Sequence, residues 1–187
     1  MQNTLKNIIE TCQNVQPLEI RNQKFFNEII FDNILSAAIF DQVNIFDFEF
    51  EETEFLNVHF RDCIFKNCRF KKTLLRKCDF LKCTFQNCEI VDCDISKVEF
   101  TEHSFKNCQF NKVALGWSHF LICEFLNTEL RDIKFKTTII NDLKTKNTTS
   151  SGLHFNKEFP MDFWKFNHCI QITDPISFEK LLRESQL

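Results

Sequence analysis

The chain has 187 residues, of which 43% are hydrophobic and 26% charged, and its formal net charge is −3. It is long enough for one domain with a continuous core, too apolar for a disordered chain, and too near neutral to announce a nucleic-acid or membrane partner. Its 24 Phe, absent Tyr, two Gly and three Pro call for a pure hydrophobe without a hydroxyl to satisfy and argue against a sandwich with many tight turns.

Met1 to Pro17 has neither the apolar run nor the small-residue cleavage site of a signal peptide. No segment approaches the ~18 apolar residues of a membrane span. A cytoplasmic protein without a membrane partner is therefore expected. Thr4 to Asn14 reads as a short amphipathic helix with Leu5, Ile8, Ile9 and Cys12 on one side, stopped before Pro17. Residues 1–19 are predicted to form an N-terminal helical cap. The helix is expected to cover some of the outward apolar residues Phe26, Ile29, Phe31, Ile34 and Ile39.

From Ile20 to Ile140 every fifth residue is Phe, Ile or Leu, 25 in succession without an insertion, 15 of them Phe. A second register two residues earlier carries small or β-branched residues, among them Val43, Val58, Cys63, Cys68, Thr73 and Cys78. The other three positions of each five are mostly polar. A period of five suits neither a 3.6-residue helix nor an alternating strand. It suits a coil that turns a corner every five residues, with one large and one small side chain per side filling the axis. Phe65-Lys66-Asn67-Cys68, Phe85-Gln86-Asn87-Cys88 and Phe105-Lys106-Asn107-Cys108 recur at intervals of twenty, which predicts four sides per coil. Asn27, Asn67, Asn87, Asn107, Asn127 and Asn147 share one column with Asp47 in the gap. Stacked amides can hydrogen-bond up such a column, and Asn tolerates turn dihedrals.

This pattern resembles the pentapeptide-repeat proteins, whose consensus is a small residue, a polar residue, a central Leu or Phe, and two variable residues. The resemblance covers about two thirds of the chain. It implies an all-β solenoid, a right-handed quadrilateral parallel β-helix of about six coils over residues 20–143, with short helical caps at both ends.

After Asn141 the apolar register fails. Lys144 to Gly152 reads as a polar link with its flexible point at Ser150-Ser151-Gly152. Pro160 to Phe166 is expected to form a helical turn bearing Phe163 and Trp164. Asp174-Pro175 starts a helix, with Asp as N-cap and Pro in the first position, and Ile176, Leu181 and Leu182 give it an apolar face. Residues 144–187 are thus a linker and a C-terminal cap, or a dimerisation element through which the chain forms a homodimer.

Eight of the ten Cys lie in the second register, which marks them as reduced core residues. Cys63, Cys83, His103 and Cys123 share a column, a set that invites zinc. A straight ladder cannot surround one tetrahedral ion, so no metal or other cofactor is expected. No phosphate loop, nucleophile elbow or paired inward carboxylates occur. A filled axis also leaves no pocket for a small-molecule substrate, and no enzyme is expected.

The charges are more informative. Acids at 41–54 give way to eight bases between Arg61 and Lys82, then to acids again at 89–102. One column reads Glu52, Lys72, Asp92, Lys112, Asp132. Such ladders fix coil stacking at about 0.2–1 kcal/mol per pair. Otherwise Arg69, Lys71, Lys72, Arg76 and Lys77 form a basic patch for an acidic partner, the candidate interaction surface. No aromatic residue interleaves it, which argues against direct nucleic-acid binding. Near the C-terminal end Trp117, Leu121, Ile122 and Leu126 make an apolar patch for the tail to cover through Phe159, Phe163 or Trp164, or else for a partner to cover.

The expected function is a non-enzymatic scaffold for protein–protein interaction with an unidentified protein partner. The alternative is a gyrase-binding DNA mimic similar to the Qnr and MfpA quinolone-resistance group. That resemblance implies a strongly negative dimeric rod, whereas residues 20–145 hold 19 acids and 17 bases.

Overall fold

The computed structural model describes residues 4–11, 17–165 and 168–186. Their core is a parallel β-solenoid of seven coils with four sides. The first side opens with the strand Leu18–Arg21, the second with Lys24–Phe26, the third with Ile29–Phe31 and the fourth with Ile34–Ser36. Each later coil repeats the four in order, so residues twenty apart are partners, as Ile45, Phe65 and Phe85 are on the second side. The corners carry the ladder too. The Asn87 amide donates to the Lys106 carbonyl at 2.9 Å, and the Glu89 amide to Cys68 at 3.0 Å.

Within each five, the central residue points to the axis, its two neighbours point out, and the next turns the corner. The fifth-position residues from Ile20 to Ile140 are all buried. Their rings stack up the rod, with Phe60 and Phe80 4.7 Å apart and Phe65 and Phe85 4.6 Å apart. The second register does more than fill space. Its Thr, Ser and Cys side chains are short donors that reach backbone carbonyls: the Thr73 hydroxyl donates to Phe50 at 2.9 Å, and the Cys88 thiol approaches the carbonyls of Phe65 and Gln86 at 3.4 Å. Burial pushes the thiols of Cys78 and Cys93 up to about 11 and that of Cys123 up to about 12.

The corner residue of every five lies in the left-handed region, 26 non-glycine residues in all, together with Gly152. Asn and Asp supply 14 of the 26 because their side chains tolerate that conformation. Trp117, Ile122 and Thr137 are the least suited. Gly152 is needed where it stands, since its φ is +61° and an added Cβ would fall 2.0 Å from Asp132 Oδ1.

Both ends depart from expectation. Helix α1 spans Leu5–Thr11; Cys12 lies outside the described residues. The Glu28 carboxylate accepts from the Leu5 and Lys6 amides at 2.8 Å each, and Leu5 and Ile9 enter the core. Held there, α1 leaves Phe26, Ile29, Phe31 and Ile34 exposed, while Ile39 is half-buried. At the other end the coil does not stop at the apolar register. Strands Lys144–Lys146, Thr149–Ser151 and His154–Phe155 continue three sides, so the expected linker is solenoid. The ladder needs backbone groups, not apolar centres, and Thr145 keeps its inward place because its hydroxyl donates to the Leu182 carbonyl at 2.7 Å.

The expected turn at 160–166 is instead the strand Met161–Lys165, which pairs with Ile139–Asn141 and puts Phe163 above Ile140. The strand His168–Ile172 folds back antiparallel to it. Helix α2 spans Pro175–Glu184 with Asp174 as its cap. Its buried face is Phe178, Leu181 and Leu182 rather than Ile176, which is 79% exposed. Phe178 packs 5.3 Å from Phe135, so α2 covers the end of the axis.

Candidate interaction surfaces

The five bases singled out from sequence fall on two sides. Arg69, Lys71 and Lys72 belong to the third, and all three are engaged within the rod. Arg69 reaches Glu49 at 3.9 Å and Glu89 at 3.3 Å, Lys71 binds Glu51, and Lys72 binds Glu52 at 2.7 Å. The hydrogen bond from Lys71 holds the Glu51 carboxyl below its ordinary value, and the one that Lys72 donates to Glu52 raises Lys72. Arg76 and Lys77 turn onto the fourth side and form no ion pair with any described residue.

That contrast extends over the whole rod. Over the seven coils, the first and third sides carry 7 and 9 acids against 3 and 5 bases; the second and fourth carry 2 acids each against 5 and 6 bases. Acidic sides thus face away from each other, with a basic side between them on either hand. Read along the chain, the charges appear as bands; sorting them by position within each twenty residues separates the sides. The fourth-side bases are Arg76, Lys77, Lys97, Lys134, Lys136 and Lys157, and among the described residues none has an ion pair.

The fourth side also holds an open groove of about 720 Å³. Ser96, Ala114 and Gly116 form a floor of small residues beneath Trp117. The tail contributes one wall. Asn156 accepts from the Glu158 and Phe159 amides at 2.9 and 3.2 Å, bringing Phe159 over the corner. The Lys136 ammonium then lies 4.3 Å from the Trp117 ring centre and 5.2 Å from that of Phe159. The tail therefore meets Trp117 through a shared cation, while Ile122 and Trp164 stay exposed and Phe163 is inward. Sequence reading finds Trp117 but misses Lys134, Lys136 and Lys157, because 58 to 81 residues of chain separate them from Arg76.

The Asn column forms a continuous chain. Asn67 donates to Asp47 at 2.9 Å, and each of Asn87, Asn107, Asn127 and Asn147 donates to the one before it at 2.9–3.1 Å. The Cys-Cys-His-Cys column has the ladder geometry that opposes zinc, and the described residues contain no group of three or more metal-ligating side chains suited to an ion. His103 sits among the rings of Phe85, Phe100 and Phe105 at 4.4–5.2 Å. Neither of its ring nitrogens has a partner among the described residues, and burial pushes the imidazole down to about 3. No helix among the described residues is long and apolar enough to cross a membrane.

Comparison with curated protein sequences gives no match. Among solved structures, trypsin-treated QnrB1, a plasmid-mediated fluoroquinolone resistance protein, is 14% identical, with 72% of this chain and 75% of that one covered and a TM-score of 0.34. HetL, a pentapeptide repeat protein involved in heterocyst differentiation regulation in the cyanobacterium Nostoc, is 7% identical over 81% of this chain and 94% of its own, with a TM-score of 0.32. A putative glycosyl hydrolase from Parabacteroides merdae is 9% identical over 91% of both chains, with a TM-score of 0.34. Likenesses at that level carry no functional argument. The sequence itself is decisive: the model of the pentapeptide repeat region matches residues 33–120 and 58–138, together more than half of the chain. With its unbroken period and four-sided coil, this chain belongs to the pentapeptide-repeat family.

Proposed function

We propose that this protein is a non-enzymatic scaffold that works by presenting a side of its rod to another protein. The observation that carries this reading is the contrast between a filled axis and unlike sides. Aromatic rings occupy the axis from end to end, and the enclosed space beneath Phe178 and Leu182 measures about 20 Å³, room for about one water. What varies along the chain is therefore outside. A strand-based side is already rigid, so a partner bound there orders little. The eight buried thiols suit a reducing compartment, in keeping with work in the cytoplasm.

The DNA-mimic alternative needs one broad acidic surface. Here the two acidic sides lie opposite each other, and Arg69, Lys71 and Lys72 interrupt the third. A gyrase supercoiling assay with the purified protein is expected to show no effect.

The scaffold reading is tested by placing a photo-crosslinking residue at one outward position per side, Thr101, Gln86, Asn111 or Ser96, in cells of the native host. Adducts concentrated on one side are expected. No adduct from any side, or equal labelling of all four, contradicts the reading.

A further inference from the structure

Arg69, Lys71 and Lys72 on the third side meet glutamates one coil away, and among the described residues no base on the fourth does. The four that border the groove, Arg76, Lys134, Lys136 and Lys157, share it with one acid, Asp94. A like-charged surface left without internal counter-charge stays favourable only in water or against an external anion. The groove is also shaped. At Gly116 an added Cβ would meet nothing nearer than Ser96 Cβ at 3.8 Å, so packing does not demand glycine there. Its effect is to leave the floor open. One wall, Trp117, stands at a corner with φ +50°, where Asn or Asp is the easy choice. A bulky aromatic held in that conformation is a strained choice that the turn does not need.

We propose that this groove is the docking site for an acidic segment of a partner protein, lying extended along the rod with its carboxylates on Arg76, Lys134, Lys136 and Lys157. The proposal rests on the scaffold reading and gives the partner a chemistry. The groove borders five rungs of the fourth side, from Leu74–Arg76 to His154–Phe155. At about 4.8 Å per rung an extended segment of about six residues spans it. Carboxylates are favoured over nucleobases by the position of Lys136. Its ammonium lies over both the Trp117 and Phe159 rings, where a stacked base needs a bare face. The same cation presents its remaining N–H groups to an acceptor and draws further support from the ring beneath it.

The probe is a fluorescein-labelled polyglutamate peptide of about ten residues, followed by anisotropy at low and at about physiological salt. Wild type is expected to bind it, more weakly as salt rises. Lys134→Glu with Lys136→Glu should weaken binding about tenfold or more, and Gly116→Leu, which fills the floor at constant charge, by a similar factor. Lys71→Glu with Lys72→Glu, on the third side, should stay within about twofold. Circular dichroism of each variant establishes that it is folded. Failure of wild type to bind, an equal loss in the third-side variant, or no loss in Gly116→Leu overturns the groove. Tighter binding of oligothymidylate than of polyglutamate makes the ligand a nucleic acid and overturns the proposal. So does self-association in sedimentation that Lys134→Glu with Lys136→Glu abolishes, since the occupant is then a second copy. Crosslinks confined to another side refute the groove while sparing the scaffold reading; their absence from every side removes that reading itself.

Discussion

Phe65, Phe85 and Phe105 stand one above another on the axis, while the residues beside them on the second side are Lys66, Gln86 and Lys106. The axis repeats every five residues because each side must deliver one large and one short side chain to the same space. The sides are free of that constraint and repeat only loosely, every twenty. Sequence drift is therefore cheap outside and costly inside. The information that distinguishes this rod from another of the same fold lies on its sides.

The largest expected effect separates the two regions by one residue. Phe85 packs against Phe65, Phe70, Phe80, His103 and Phe105 at 4.6–5.7 Å. Phe85→Ala should cost about 3–5 kcal/mol. Gln86 points outward, and Gln86→Ala should stay within about 0.5 kcal/mol. Equal shifts of the urea midpoint would mean that the inward and outward positions are misassigned.

A smaller effect sharpens the comparison from inside. His103 is an ionisable group in a column of short donors. In the folded state it stays neutral down to about pH 3, whereas in the unfolded chain it takes up a proton near pH 6.5. The unfolded state thus binds more protons as pH falls, and stability is lost from about pH 6.5 downward, by up to about 1.4 kcal/mol per unit. Between about pH 6 and pH 5, before carboxylates titrate, wild type should lose stability relative to His103→Cys at close to that slope. Parallel curves for the two proteins would show that the imidazole is not buried as a neutral group.

The axis is legible in the sequence because its rule is local. One residue in five from Ile20 to Ile140 must be apolar and large, and it is. Legibility ends where the rule relaxes. Thr145 and Ser150 hold inward places at the last coil without apolar side chains, since α2 and the backbone ladder support them. Met161–Lys165 forms a strand because Ile139–Asn141 offers it an edge, a partner that no local pattern in 160–166 reveals. Ile176 has the spacing of the inner face of α2, but Phe178 takes that place through Phe135 and Phe155. The basic patch is half legible. Arg69 to Lys77 are close in sequence and so read as one surface, yet a corner at Lys72 sends Arg76 and Lys77 to another side. Their true neighbours, Lys134, Lys136 and Lys157, arrive three and four coils later.

The smallest effect tests most directly whether Lys72 and its third-side neighbours Arg69 and Lys71 are spent on carboxylates inside the rod while the bases of the fourth side are not. Lys72 and Lys77 are both corner residues with left-handed backbone, one coil side apart. Lys72→Glu removes the contact to Glu52 and places a carboxylate between Glu52 and Asp92. Lys77→Glu places one between Asn57 and Lys97, where it relieves a like-charge neighbour. At low salt the urea midpoint should fall for Lys72→Glu and should hold or rise for Lys77→Glu, and high salt should bring both towards wild type. Loss of stability of equal size in the two variants, unaffected by salt, would contradict the contrast between paired Lys72 on the third side and unpaired Lys77 on the fourth.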